Sequence, residues 1–319
     1  MHLNEFASTT NPMDMTQTAE FDSLCASASD LNIAYRLPIR YVSRNLVARH
    51  HRFHFLEWGN AAAPTILLLH GGNQSAHSWD LVSLALQDHY HIVALDQRGH
   101  GDSEWARDAD YSSQAMAADI VAFCEALGLA EPIVMGHSMG GFNTVRVTLV
   151  EPNLPKAIVL VDMGPEISEV GVNIVRNFII ENQEFSDIDD FVAAVLAYDP
   201  YRSREHIERT VKYNLLQRTD GIYISKVDHG PRLAHGAEQR RNSDRFSLSD
   251  AEHITPPALL VRGADSWVLE ADAAQRFVKA LPRGQLVTVP DCSHNVHGQN
   301  TAGFLAAVEP FLASITAND

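Results

Sequence analysis

The stretch Ile133-Val134-Met135-Gly136-His137-Ser138-Met139-Gly140-Gly141 restricts this chain more than any other. A short apolar run stops at a glycine, a serine follows among small residues, and a helical pattern begins at once. G-x-S-x-G in that setting predicts a serine on a sharp strand-to-helix turn, a nucleophile elbow. Such a turn strains the serine backbone, so its neighbours must be nearly devoid of side chain. The hydroxyl is lifted out of the sheet. The next backbone N–H and a helix N-terminus lie beneath it, where an oxyanion is stabilised. Alone, the motif also fits a glycine-rich turn with an incidental serine.

The surrounding pattern decides between these. Strand-like stretches at 39–47 and 52–58 precede continuous apolar runs at 65–69, 91–95 and 157–161, each suited to a strand buried on both faces. Helical stretches separate them. One runs over 77–87, and another over 116–127 begins at Ser112 and Ser113 and ends at Gly128. Strand, helix, strand, helix, strand implies a parallel sheet with helices on both faces. Ligands of such sheets bind beyond the carboxyl ends of the strands. His70-Gly71-Gly72, Asp96, Ser138 and Asp162 all stand at such ends.

The alternation then breaks. Between 166 and 250 no buried strand occurs; helical stretches at 172–180, 189–197 and 205–216 lead to a strand-like piece at 221–227 and a charged loop around Arg240-Arg241-Asn242-Ser243-Asp244. Strands resume at 258–261, ending in Arg262-Gly263-Ala264-Asp265, and at 285–289, ending in Pro290-Asp291-Cys292-Ser293-His294-Asn295-Val296-His297. Helices follow each, over 271–280 and 301–314. The expected organisation is a polar segment over 1–30 that is a flexible tail or a partly ordered arm over the core, an α/β core from 31–165 and 251–319, and a helical cap from 166–250.

Composition limits the partners. A formal charge of −16 over 319 residues argues against nucleic acid or an anionic membrane surface. No apolar run approaches the roughly 18 residues of a membrane span, and the N-terminal stretch lacks a signal-peptide pattern. Three scattered cysteines (Cys25, Cys124, Cys292) make no disulfide framework and suit a reducing cytoplasm, with Cys292 read as a packed thiol. His50, His51 and His54 lack carboxylate or cysteine partners at ligand spacing, so no metal is expected there. A small-molecule substrate is the expected partner, and a homo-oligomer stays open.

A serine nucleophile needs a base within hydrogen-bond reach and an acid to orient it, here in the chain order Ser, acid, His. Leu69-His70-Gly71-Gly72, Asp96-Gln97-Arg98-Gly99-His100-Gly101-Asp102-Ser103, Gly136-His137-Ser138-Met139-Gly140-Gly141, Arg262-Gly263-Ala264-Asp265 and Pro290-Asp291-Cys292-Ser293-His294 follow one another at strand ends. With these motifs the chain from about Tyr41 onward resembles the α/β-hydrolase superfamily. The resemblance implies an eight-stranded, mostly parallel sheet with a helical cap inserted after the sixth strand. It places the nucleophile at Ser138, the base at His294 with His297 as the alternative, and the acid at Asp265 after the seventh strand. Asp162, after the sixth, is the alternative acid. It also implies oxyanion donors at the amides of Gly72 and Met139, a scaffold role for the loop from Asp96 to Gly101, and no cofactor. Asn73, Trp79, Phe142 and Trp267 are the candidate pocket residues, with His77 beside them.

The expected activity is hydrolysis of a small carboxylic ester or lactone through an acyl-enzyme on Ser138. A carbon–carbon hydrolase of the meta-cleavage-product type is one alternative, weakened by Gly72-Asn73-Gln74-Ser75 where those enzymes tend to carry Gly-Pro-Gly. A perhydrolase or cofactor-free haloperoxidase is another. Haloalkane dehalogenases and epoxide hydrolases place aspartate at the elbow, where this chain has serine. A non-catalytic binding protein on the same fold is a further reading.

Overall fold

A computed structural model describes residues 12–229 and 246–317. In chain order the strands are β1 (Met13–Asp14), β2 (Tyr41–Ala48), β3 (His51–Trp58), β4 (Thr65–Leu69), β5 (His91–Leu95), β6 (Ile133–His137), β7 (Ala157–Val161), β8 (Glu184–Phe185), β9 (Leu215–Gln217), β10 (Tyr223–Ser225), β11 (Ala258–Gly263) and β12 (Gly284–Val289). Nine of them form the main sheet, in the order β1-β2-β3-β5-β4-β6-β7-β11-β12. The pairings from β1 to β5 are antiparallel, and those from β5 to β12 are parallel. The eight expected strands are present, and the two-residue β1 adds a ninth at the edge.

Burial follows from the apolar runs. β5, β6 and β7 are buried along their whole length, as a parallel sheet covered on both faces requires. β3 alternates in the way its sequence suggests: Phe53 and Phe55 pack with Phe123 on one face, and Leu56 and Trp58 with Trp79 and Phe304 on the other.

The first helices are α1 (Ala19–Asp30), α2 (Asp80–Leu86), α3 (Ser113–Leu127) and α4 (Met139–Val150). α3 starts and stops where the sequence says. Ser112 Oγ accepts from the Ala115 amide, and Gly128 closes the helix at φ 70°.

Of the two readings of residues 1–30, the flexible tail needs correction and the partly ordered arm over the core agrees with the structure. Residues 1–11 lie outside the described ones, but Met13–Asp14 pairs with β2 and Ala19–Asp30 is a helix capped by Thr18. Its polar composition hides an apolar stripe. Phe21, Leu24 and Ala28 recur at i, i+3 and i+7 and pack into the cluster that holds Tyr41 and Trp58.

Between β7 and β11 the chain forms α5 (Glu169–Glu181), α6 (Ile188–Tyr198), α7 (Arg204–Val211) and the antiparallel ribbon β8-β10-β9. The helical stretch expected over 205–216 is shorter than that. α7 stops at Val211, a single 3₁₀ turn follows over Lys212–Asn214, and Leu215–Gln217 pairs with β10 instead. The charged loop around Arg240–Asp244 lies outside the described residues. The insert has a small core of its own, made of Phe191, Val192, Val195, Ile207, Val211 and Leu215. Arg209 of α7 also bonds Ser27 and Asp30, tying the insert to α1.

Candidate active site

The elbow is built by close backbone approach. Ser138 sits between β6 and α4 at φ 48° and ψ −113°, a conformation that costs a non-glycine residue roughly 1–3 kcal/mol. It is held there because the glycines admit nothing else. A Cβ on Gly136 would lie 2.3 Å from the Gly140 carbonyl oxygen, and one on Gly140 would lie 2.2 Å from that of Leu69. The Ser138 amide donates to the Val161 carbonyl, which fixes the turn to β7.

The loop after β12 brings His294 to this serine. Its Nε2 stands 3.0 Å from Ser138 Oγ, and its Nδ1 stands 2.8 Å from Asp162 Oδ2. Asp162 is fully buried and also accepts from the Gly263 amide at 3.1 Å and the Ser266 hydroxyl at 2.6 Å. A carboxylate only accepts. The Nδ1 of His294 therefore carries the proton, and Nε2 is left to accept the one on Ser138.

Asp265, the acid expected from the sequence, is not part of this chain of bonds. It is exposed, its amide donates to the Cys292 carbonyl, and its carboxylate accepts from the Tyr201 hydroxyl at 3.1 Å. The reason is topological. β7 is the direct neighbour of β6, so the residue following β7 lies one strand from Ser138. Asp265 follows β11, one strand further out. Asp162 does brace the strand end through Gly263 and Ser266, and it orients His294 as well.

The alternative base, His297, is buried and stacked on Trp79 with ring centroids 3.8 Å apart. Neither of its ring nitrogens has a hydrogen-bond partner among the described residues. Burial, followed by the nearby positive charge of Arg202, pushes it down to about 3. It is a packing residue.

Met139 directly follows the serine, and Gly72 lines the same cavity as both. Met139 is the first residue of α4, at the positive end of that helix dipole. The Gly72 amide has no acceptor among the described residues, and a Cβ there would meet nothing within 4 Å. The glycine loop is held from below. His70 Nε2 accepts from the Gln97 amide, so its Nδ1 donates to the Gly71 carbonyl, and Gln97 Nε2 donates to the His70 carbonyl. His137 Nε2 donates to the carbonyl of His294 at 2.9 Å, pinning the loop that carries the base. Burial, followed by the proximity of His294 and His297, pushes His137 well below the ordinary histidine range.

A cavity of about 790 Å³ opens over Ser138. Gly72, Asn73, Met139, Phe142, Trp267 and His294 line it from the core side, and Val172, Val175, Phe178 and Ile179 of α5 line it from the insert. Asn73, Phe142 and Trp267 thus stand where the sequence suggests. Trp79 does not. It is fully buried between His297 and Phe304, because the 3₁₀ turn Ala76–Trp79 points it inward. His77 faces away from the cavity, paired with Asp80 and stacked on Tyr213. Cys292 is buried, and desolvation pushes its thiol up to about 11.

The loop from Asp96 to Gly101 is scaffold. Burial alone would raise the Asp96 carboxyl, but bonds from His54 and the Ala76 amide hold it well below the usual range. Arg98 forms a two-pronged pair with Asp119. Among the described residues, His54, Asp96 and Asp102 could offer three ligand atoms to a cation. Their atoms are already engaged, with His54 and the Asp102 amide on Asp96, and Lys226 on Asp102.

Sequence reasoning missed a link between insert and base. Asp199, just past α6, accepts from Arg202 Nε at 2.7 Å and from Gln299 Nε2 at 2.9 Å, and Gln299 Oε1 accepts from the Ser293 amide at 2.6 Å. No local motif announces it, because its two halves, Asp199–Arg202 and Ser293–Gln299, are joined across 100 residues of chain.

An esterase of Mycobacterium tuberculosis is 25% identical over 308 residues, covering 94% of this chain and 97% of its own. The 2-(acetamidomethylene)succinate hydrolase of Mesorhizobium japonicum is 26% identical over 290 residues, covering 89% of this chain and 97% of its own. The crystal structure of an E-2-(acetamidomethylene)succinate hydrolase superposes with a TM-score of 0.77 at 24% identity, over 85% of this chain and 99% of that one. A family model for the alpha/beta hydrolase fold matches residues 64–301, the span that holds Gly72, Ser138, Asp162 and His294. The chain belongs to the α/β-hydrolase family.

Proposed function

We propose that the protein is a serine hydrolase that cleaves a small carboxylic ester or lactone through an acyl-enzyme on Ser138. The observation that carries this reading is the unbroken chain from Ser138 Oγ through His294 to Asp162. His294 takes the hydroxyl proton as Ser138 attacks the carbonyl carbon, and Asp162 stabilises the imidazolium that forms. The tetrahedral oxyanion is received by the amides of Gly72 and Met139, each donor contributing roughly 3 kcal/mol in the transition state. His294 then returns the proton to the leaving oxygen. A water, deprotonated by the same nitrogen, hydrolyses the acyl-enzyme.

The insert acts as a cap, its apolar side chains forming the roof of the cavity. The relative named as an esterase, matched over nearly its whole length, supports the choice of ester. The test is direct. A fluorophosphonate probe labels the wild type but not Ser138→Ala, and that variant loses turnover of p-nitrophenyl butyrate. Undiminished turnover in the alanine variant refutes the mechanism.

A further inference from the structure

The cavity is apolar along α5 and polar where the chain passes from α6 to α7. Arg202 stands in that passage with its side chain 14% exposed. Its Nε is engaged by Asp199, and its two terminal amino groups have no hydrogen-bond partner among the described residues. Arg202 lines the same cavity as Ser138 and His294.

Two further polar atoms at this end have no hydrogen-bond partner among the described residues: Nδ1 of His206, four residues on and 6% exposed, and Oδ1 of Asn214. Both residues line the cavity. Burial, followed by the charges of Arg202 and Arg209, pushes His206 down to about 4, so its imidazole is neutral and able to donate. Buried polar atoms are nearly always paired in native proteins, and a cluster of unpaired ones beside a cavity marks a place for a polar ligand.

We propose that Arg202, with His206 beside it, recognises a carboxylate carried by the substrate, so that the preferred substrate is an ester bearing one free carboxylate. This rests on the hydrolase reading above and narrows it. The chemistry favours a carboxylate over a neutral polar group or a phosphate. Binding Asp199 through Nε leaves the edge formed by the two amino groups, a planar fork that matches the two oxygens of a carboxylate. Asp199 already offsets part of the charge, so one guanidinium beside it suits a monoanion better than a dianion. Asp199 is itself held by Gln299, so the fork is fixed before ligand arrives, which lowers the entropic cost of binding.

The experiment compares two esters of equal size, the mono-p-nitrophenyl ester of glutarate and its neutral amide counterpart, p-nitrophenyl glutaramate. In the wild type the ratio of kcat/KM, anionic over neutral, is expected to be roughly 10–100, the range of a charged hydrogen-bonded contact. It falls towards one in Arg202→Met and is partly kept in Arg202→Lys, which retains the charge but not the fork. A wild-type ratio near one, or a ratio untouched by Arg202→Met, overturns the proposal. Should Arg202→Met not fold, the double variant Asp199→Asn/Arg202→Met removes the pair together and carries the same comparison.

Calorimetry with monomethyl glutarate on Ser138→Ala separates this proposal from the hydrolase reading. Binding that is lost when Arg202→Met is added supports the carboxylate site even if no ester is turned over, a result that would refute only the hydrolase reading. Absence of monomethyl glutarate binding overturns the site even if neutral esters are hydrolysed.

Discussion

Asp162→Asn tests the assignment of the acid. In the native site Asp162 Oδ2 receives His294 Nδ1–H at 2.8 Å and the Ser266 hydroxyl at 2.6 Å, while Oδ1 receives the Gly263 amide at 3.1 Å. The backbone amide of Gly263 cannot turn away, so the carboxamide oxygen of an asparagine takes the Oδ1 position. Its NH₂ then faces His294. An NH₂ only donates, so Nδ1 must become the acceptor and the imidazole proton moves to Nε2. That nitrogen can no longer accept from Ser138. The same exchange in a serine protease costs roughly 10⁴ in kcat, about 5.5 kcal/mol of barrier. Asp265→Asn keeps a carboxamide oxygen that can still accept from the exposed Tyr201 hydroxyl, so its effect should not exceed about 1 kcal/mol, or roughly 5-fold. Steady-state hydrolysis of p-nitrophenyl butyrate by the two variants, with fluorophosphonate labelling as a second readout, measures the difference. An Asp265→Asn variant that loses more than 100-fold beside a near-normal Asp162→Asn refutes the argument from sheet adjacency.

Three further perturbations follow from geometry. His297 is neutral in the fold and titrates near 3, against about 6.5 in the unfolded chain, so the unfolded state binds the extra proton below pH 6.5. Its contribution is intact above pH 6.5 and is lost as pH falls towards 3, about 2 kcal/mol being gone by pH 5. His297→Phe keeps the stack on Trp79 without that titration, and its melting temperature should fall less than that of the wild type between pH 8 and 5; equal sensitivity would contradict this. Gly140→Ala must move the Leu69 carbonyl and should lower stability by about 3 kcal/mol or fail to fold, whereas Gly72→Ala meets open space and should melt close to the wild type. Deleting residues 1–30 should cost at least about 2 kcal/mol in urea unfolding, because Leu24 and Ala28 leave the core; an unchanged midpoint would restore the reading of that stretch as a tail.

What the sequence disclosed and what it hid divide along physical lines. The elbow was legible because its glycines are demanded by backbone contacts of 2.2 and 2.3 Å, and such contacts leave no freedom of composition. His294 and Gly72 were legible because parallel strands deliver their carboxyl ends to one edge. The partner of His294 was misplaced because Asp162 and Asp265 both follow apolar strands, and linear order says nothing of which strand lies beside β6. A usable signal was present in Ser266, which supplies a hydroxyl to Asp162 from the very loop that carries Asp265. Trp79 was misread because a 3₁₀ turn redirects a side chain within four residues. α1 was missed because helix formation there depends on a sparse stripe of three residues, outweighed in composition by Ser, Thr and Asp.

α5 has thirteen residues, and its one buried residue is Gly171, which packs so tightly on Trp267 that a Cβ would lie 2.1 Å from the Trp267 carbonyl oxygen. Val172, Val175, Phe178 and Ile179 border the cavity, and of these Phe178 also packs against the insert's core, so most of the helix's apolar face rests on the cavity. Its local opening costs little while the cavity is unfilled, and a bound molecule supplies the missing half of its packing. Backbone amides of α5 should then exchange with solvent deuterium far sooner than those of α4, and slow in proportion to ligand occupancy. A ligand of the cavity would in this sense be a folding partner of α5.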